Sequence, residues 1–363
     1  MIYTKEDRAA IWLASQGLSN GKRNKLCQSV DYDILFLQEN LSSLREKVSL
    51  IVGEEAYLEM YASVHPSALQ PYYLEMEKYG VTAITIFNEL YPERLKEIKN
   101  APLVLYAKGN LNLLKSEKTI AIVGTREPDR YGIDVTEEFA TELTNHGYVI
   151  VSGMARGIDS IAHRIALKFG NPTIAVMGCG LDRVYPAEFV DLFNQIVDFG
   201  LVLSEYPIGT PPHGYNFPER NRIISGLSQG LLITQAGEGS GALITFDYAI
   251  DQGRDVFIVP GSVYNKQCVG SNSLLKSYSG CGVQTPWDII SETERLEERS
   301  PVVSSIELDV VEEKIVKMLE ERDMHIEEII RISGLPIREL TSLLLKLELL
   351  GLVKRLSGNY YGA

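Results

Sequence analysis

Thr119-Ile120-Ala121-Ile122-Val123-Gly124-Thr125-Arg126 is an apolar run that breaks into a glycine, a hydroxyl and a guanidinium. A run this short, with no polar alternation, reads as a strand buried on both faces, as in a parallel sheet. The pattern recurs in Tyr148-Val149-Ile150-Val151, in Thr173-Ile174-Ala175-Val176-Met177 and in Gly200-Leu201-Val202-Leu203-Ser204. It recurs again in Gly230-Leu231-Leu232-Ile233-Thr234 and in Asp255-Val256-Phe257-Ile258-Val259. Between most of these lie stretches long enough for a helix, such as Val135 to His146 and Ser160 to Phe169. The alternation predicts a Rossmann-like α/β domain, a parallel sheet of about six strands covered by helices.

Working outward, residues 1–75 carry apolar positions at helical spacing, as in Ala9-Ala10-Ile11-Trp12-Leu13. They predict a small helical domain similar to sterile-alpha-motif or helix-hairpin-helix folds. Two further strands are expected at Val81 to Ile84 and Leu103 to Tyr106, inside a Rossmann-like domain over 76–290. Residues 291–304 are polar and charged and read as a linker. Over 305–363 the spacing predicts helices Leu308 to Glu321, Ile326 to Ile332 and Ile337 to Leu350. A hairpin turning at Ser357-Gly358-Asn359 would complete a winged helix.

Composition restricts the function. No apolar run approaches the roughly 18 residues of a membrane span. The N-terminus lacks the basic region and apolar core of a signal peptide. Cys27, Cys179, Cys268 and Cys281 form no CxxC pair and read as reduced thiols in a cytoplasm. The histidines have no metal-ligand spacing, so no metal or other cofactor is expected. Net charge is −13, and every segment is acidic: −2 over 1–117, −6 over 118–290 and −5 over 291–363. A nucleic-acid site would have to be a local arginine patch set in a repulsive field.

Several strand ends suit an anion, because ligands of open α/β sheets bind at carboxyl strand ends beside helix N-termini. The first offers Gly124, Thr125 and Arg126, which also fit an ordinary tight turn. The second offers Ser152, Gly153 and Arg156 ahead of a helix capped near Asp159. The fifth offers Ser240 and Gly241 in a Gly/Ser turn. Cys179 has no histidine base tied to it and reads as a packed thiol, and His163 as a surface or interhelical residue. Tyr215-Asn216-Phe217-Pro218-Glu219-Arg220-Asn221-Arg222 sets an aromatic ring beside two guanidiniums. Arginine forks hold phosphates and an exposed ring stacks on a base. The same stretch also fits a loop-to-helix junction with Phe217 in the core. Pro218 favours an extended, projecting Phe217.

Together these motifs resemble the DNA-processing protein A family (DprA, also called Smf). The resemblance runs from Val-Gly-Thr-Arg through Ser-Gly-x-Ala-x-Gly-Ile-Asp-x-x-Ala-His, Gly-Cys-Gly-Leu-Asp-x-x-Tyr-Pro and Phe-Pro-x-Arg-Asn-Arg, to Gly270-Ser271-Asn272-Ser273. It covers at least residues 80–290, and the flanking modules resemble those of many members. It implies a cytoplasmic, dimeric, non-enzymatic protein that binds and protects incoming single-stranded DNA. Such a protein helps load the RecA recombinase during natural transformation, dimerising through its Rossmann domain. By motif it implies phosphate contacts at Gly124, Thr125, Arg126, Ser152, Gly153, Arg220, Asn221, Arg222 and Gly241, with Phe217 against a base. Gly214 departs from the usual basic residue, and Gln235 from the usual glutamate. The competing expectation is an enzyme, a phosphoribohydrolase-like nucleotide hydrolase on the same fold. The loop Gly237 to Thr245 lacks that class's Pro-Gly-Gly and its closing acid.

Overall fold

The computed structural model describes residues 3–277, 281–299, 310–322, 324–349, 352–355 and 360–362. They form two compact units, Met1–Glu294 and Arg295–Ala363. The larger is built on a nine-stranded sheet: β1 (Thr82–Thr85), β2 (Val104–Gly109), β3 (Thr119–Val123), β4 (Val149–Ser152), β5 (Thr173–Met177), β6 (Leu201–Ser204), β7 (Gly230–Ile233), β8 (Asp255–Ile258) and β9 (Cys281–Gly282). The order across the sheet is β1-β2-β6-β5-β4-β3-β7-β8-β9. Strands β3 to β9 pair in parallel, while β2 joins β6, and β1 joins β2, antiparallel. The two early strands expected from sequence therefore extend the edge of the same sheet.

Successive side chains of β3 leave on opposite faces. Ala121 and Val123 pack with Ile223, Ile224 and Phe246, from helices Asn216–Gly226 and Gly241–Asp251. Ile120 and Ile122 pack with Phe139, Leu143, Ile158 and Ile165, from helices Arg130–Asn145 and Ile158–Lys168. Both faces are covered, which is why the strand sequences are continuously apolar.

The N-terminal helices run from Lys5–Ala14 to Gln70–Tyr79 and share one core with the sheet edge. Trp12, Leu26 and Leu37 pack in the same cluster as Val104, Tyr106 and Met177. Thr4 and Asp7 form a capping box on the first helix, and Asp7 also accepts the Thr85 hydroxyl from β1. The boundary expected at residue 75 falls inside helix Gln70–Tyr79, and the linker expected from 291 begins inside helix Pro286–Arg299. Residues 300–304 of that linker lie outside the described residues.

In the smaller unit, helices Val310–Glu321, Ile326–Ser333 and Ile337–Leu349 enclose a core of Ile315, Leu319, Ile329, Leu340 and Leu344. Lys354–Arg355 and Tyr360–Gly362 pair antiparallel, and Met324–His325 adds a third strand. The turn expected at Ser357-Gly358-Asn359 lies outside the described residues.

Because Trp12 is fully buried in the core shared with the sheet, Trp12→Ala is expected to cost about 3–5 kcal/mol of unfolding free energy. The denaturant transition followed by the remaining tryptophan, Trp287, is expected to move to a lower midpoint in the variant. An unshifted Trp287 transition would mean that the helical segment folds independently of the sheet.

Candidate nucleic-acid interface

The sheet changes direction at β3. Its connection through helix Arg130–Asn145 leads to β4 on one side, while β7 leads through helix Gly241–Asp251 to β8 on the other. A crevice opens at such a switch point. Here it is a cleft of about 480 Å³.

The turn after β3 forms one wall. A Cβ on Gly124 would lie 2.5 Å from the Ile158 side chain and 2.7 Å from the Gln235 carbonyl, so only glycine fits. The Thr125 N–H donates to the Gln235 carbonyl (2.8 Å), tying the turn to the end of β7. The Thr125 side chain is buried, with its hydroxyl 3.3 Å from Gln267 Oε1. Arg126 is exposed on the lining and enters no ion pair among the described residues. The opposite wall is the turn after β7. Gly239 takes φ +71°, and Ser240 caps helix Gly241–Asp251 by accepting the Ala242 N–H. Space is open where a Gly241 side chain would stand. The unsatisfied N–H groups and dipole of that helix end favour an anion. Asn221 closes the gap, its Nδ2 3.3 Å from the Gly241 carbonyl. Glu127 and Glu238 also line the cleft and work against an anion there.

Gly124, Thr125, Arg126, Asn221, Ser240 and Gly241 thus come together, as do Phe217 and Arg220. The other expected ligands do not reach the cleft. The Ser152 hydroxyl donates to the Ile122 carbonyl (2.6 Å), and the Gly153 N–H to Asp159 Oδ2 (3.1 Å). The Asp159 carboxylate occupies the cradle that sequence offered to a phosphate, taking the Ala155 N–H as well. Burial raises its pKa, opposed by Arg220 and by these N–H groups. Arg156 points elsewhere and pairs with Glu188 at 2.6 Å.

The two arginines after Phe217 are structural. Arg220 is buried, donating to the carbonyls of Gly153 (2.7 Å) and Val176 at the ends of β4 and β5. Arg222 does not approach Arg126. It is sealed in an ion pair with Glu205 (2.6 Å), with side chains 6% and 4% exposed, and donates to the Asn100 and Glu219 carbonyls. Burial works against its charge, but Glu205 more than offsets this and raises its pKa.

Phe217 is helical, not extended, because a proline is tolerated in the first turn of a helix, where Pro218 stands. Its ring is half-buried between Gly178, Tyr185 (5.2 Å) and Arg220 (5.9 Å), with one side on the cleft. Cys179 is the packed thiol expected, pushed up to about 11 by burial. His163 is buried, bonded to Thr173, and lowered to about 3 by burial and the Arg220 charge.

Sequence reasoning missed Asp159 as an internal anion, Gln267 as a wall, and the part played by Gln235. The Gln235 amide accepts the Asp129 N–H and donates to Asp129 Oδ1 (2.9 Å), a pair of roles that an ionised glutamate lacks. Asp129 in turn caps helix Arg130–Asn145.

The fold and cleft define a Rossmann-like α/β protein with an anion-suited crevice at the switch point of its sheet. Comparison with known proteins places it further. Residues 82–294 match the model of the DNA recombination-mediator protein A family, and residues 299–359 match that of the DprA winged helix domain. The chain is 37% identical to the DNA processing protein DprA of Streptococcus pneumoniae over 282 residues, 78% of this chain and 96% of the relative. Its identity to DprA of Bacillus subtilis is 41% over 221 residues, 61% and 73% of the two chains. The X-ray structure of the S. pneumoniae protein superposes with a TM-score of 0.68 at 35% identity, covering 80% of this chain and 99% of that one. A Helicobacter pylori DprA, described for its single-stranded DNA binding mode, superposes with a TM-score of 0.54 at 31% identity, covering 59% and 96%. The chain therefore belongs to the DNA recombination-mediator protein A family.

If Arg222 is structural, Arg222→Ala strands Glu205 as a buried, unpaired charge, a loss of about 3–5 kcal/mol in unfolding free energy. Arg126→Ala is expected to unfold as the parent does. Equal stabilities for the two variants in denaturant titration would return Arg222 to the surface.

Proposed function

We propose that this protein is a single-stranded-DNA-binding recombination mediator that holds the strand's phosphates in the switch-point cleft. The observation that carries the reading is Arg126. It is an exposed guanidinium with no ion pair among the described residues, and it lines the same cleft as the N-terminus of helix Gly241–Asp251. Gly124, Thr125, Asn221, Ser240 and Gly241 are the other groups from which it takes phosphate contacts. The half-buried Phe217 is the ring available to a base. Membership of the family and the single-stranded DNA binding of the H. pylori relative support the polymer as ligand. The reading extends to protection of incoming DNA in natural transformation, delivery to RecA, a homodimer formed through the sheet domain, and a cytoplasmic site of action. The absence of a helix able to cross a membrane among the described residues agrees with that site.

We infer a binding role without catalysis. The Cys179 thiol is buried and held at about 11, which leaves it protonated near neutrality. His163 is sealed in the core and held at about 3, far from a general base's working range. The division into a helical segment, a sheet domain and a winged helix belongs to the same proposal.

With Arg220 and Arg222 occupied internally, the cleft makes few phosphate contacts. The slope of log affinity against log salt is expected to be shallow, about −0.7 for each phosphate neutralised. Arg126→Ala is expected to weaken binding of an oligothymidylate at least about tenfold at low salt and to flatten that slope by about 0.7. Fluorescence anisotropy over a salt series measures both. A folded Arg126→Ala protein with parental affinity and slope would remove the cleft as the site.

A further inference from the structure

We propose that Asn20, from the N-terminal helical segment, is a positioning residue for the cleft, a role that rests on the single-strand-binding function proposed above. Asn20 opens helix Asn20–Ser29 and lies outside the matched span 82–294. Its Nδ2 donates to Glu205 Oε2 (3.1 Å) and to Glu219 Oε2 (2.8 Å). Its Oδ1 accepts from the buried Arg23 (3.0 Å), which fixes the orientation of the amide. Glu205 holds Arg222, and Arg222 also donates to the Glu219 carbonyl. A continuous polar chain thus runs from Arg23 through Asn20 and the two glutamates to Arg222, on helix Asn216–Gly226.

That helix supplies Phe217, Arg220 and Asn221 to the cleft from its first two turns. Asn20 touches none of these residues in the contacts described. It holds the glutamates that fix the helix, and one donor group serves both carboxylates. A neutral amide suits the place because it bridges two anions without adding a charge. An aspartate there would be a third carboxylate against Glu205 and Glu219, facing only Arg23 and Arg222 as direct cations. The adjoining cavity of about 620 Å³ adds Lys99 and Arg254, balanced by Glu97 and Asp251.

The test uses the full chain, its Asn20→Asp and Asn20→Ala variants, and a fluorescein-labelled oligothymidylate. Asn20→Asp is expected to bind about tenfold more weakly at about pH 8. Part of that loss is expected to be recovered, relative to the parent at the same pH, as the pH falls and the introduced aspartate is protonated. Asn20→Ala is expected to bind more weakly without that recovery. Both variants are expected to keep the parental salt slope, since neither removes a phosphate contact. Without DNA, the amides of helix Asn216–Gly226 are expected to exchange faster with solvent in both variants. Parental affinity and parental exchange in a folded variant would overturn the proposal. So would faster exchange spread evenly through the sheet, or faster helix exchange with unchanged affinity. Should Asn20→Asp not fold, Asn20→Ala decides by the same criteria. If the parent chain does not bind the oligonucleotide, the single-strand reading fails, and the exchange data alone decide whether Asn20 holds the helix.

Discussion

The buried ion pair between Arg222 and Glu205 is the constraint on which the rest of the site depends. Removing two charges from water is costly, and their attraction repays it only with good geometry and further hydrogen bonds. Here the geometry is met: the pair is 2.6 Å apart, and the Asn100 and Glu219 carbonyls take two further guanidinium donors. Two residues earlier, Arg220 caps carbonyls at the ends of β4 and β5. The helix Asn216–Gly226 is thus pinned to three strand ends, with β6 held through Glu205. Its cations fix position and leave the ligand-facing charge to the turn after β3.

That distribution bears on how an acidic protein can hold a polyanion. The net charge of −13 sets a repulsive field, and Glu127 and Glu238 stand on the cleft itself. Against these stand the exposed Arg126 guanidinium, the buried Arg220 on the same lining, the backbone donors at a helix N-terminus and a few polar side chains. In the proposed role the ligand is a flexible single strand, whose phosphates can enter a crevice one at a time. The Asp159 carboxylate also lines the cleft, where it takes the Gly153 and Ala155 N–H groups and adds to the negative charge there.

Much of the fold was legible in the sequence for a physical reason. Strands buried on both faces must be apolar throughout, and Ile120 to Val123 and Thr173 to Met177 read that way. The antiparallel placing of β1 and β2 was not legible, because strand pairing is non-local. Two-residue strands such as Cys281–Gly282 carry too little pattern to be read. Nor was the union of the N-terminal helices with the sheet edge, since a helix's apolar stripe does not name its partner. At the cleft, Gly124 to Arg126 and Ser240-Gly241 were legible as strand-end turns because strand, turn and helix N-terminus are local events. Arg222 was misread because its partner, Glu205, is 17 residues away, and only the folded chain brings them together. Ser152 and Gly153 were misread because the Ile122 carbonyl takes the Ser152 hydroxyl, and Asp159, a few positions on in the same motif, takes the Gly153 N–H.

The central claim is that the switch-point cleft, rather than the winged helix, holds the strand. Photocrosslinking of the full chain to a bromodeoxyuridine-substituted single strand, mapped by mass spectrometry, tests it most directly. The account predicts adducts in peptides containing Gly124 to Glu127, Phe217 to Asn221 and Gly237 to Thr245, the segments that line the cleft. Adducts confined to helix Ile337–Leu349 and its neighbours, with the cleft peptides unmodified, would contradict it.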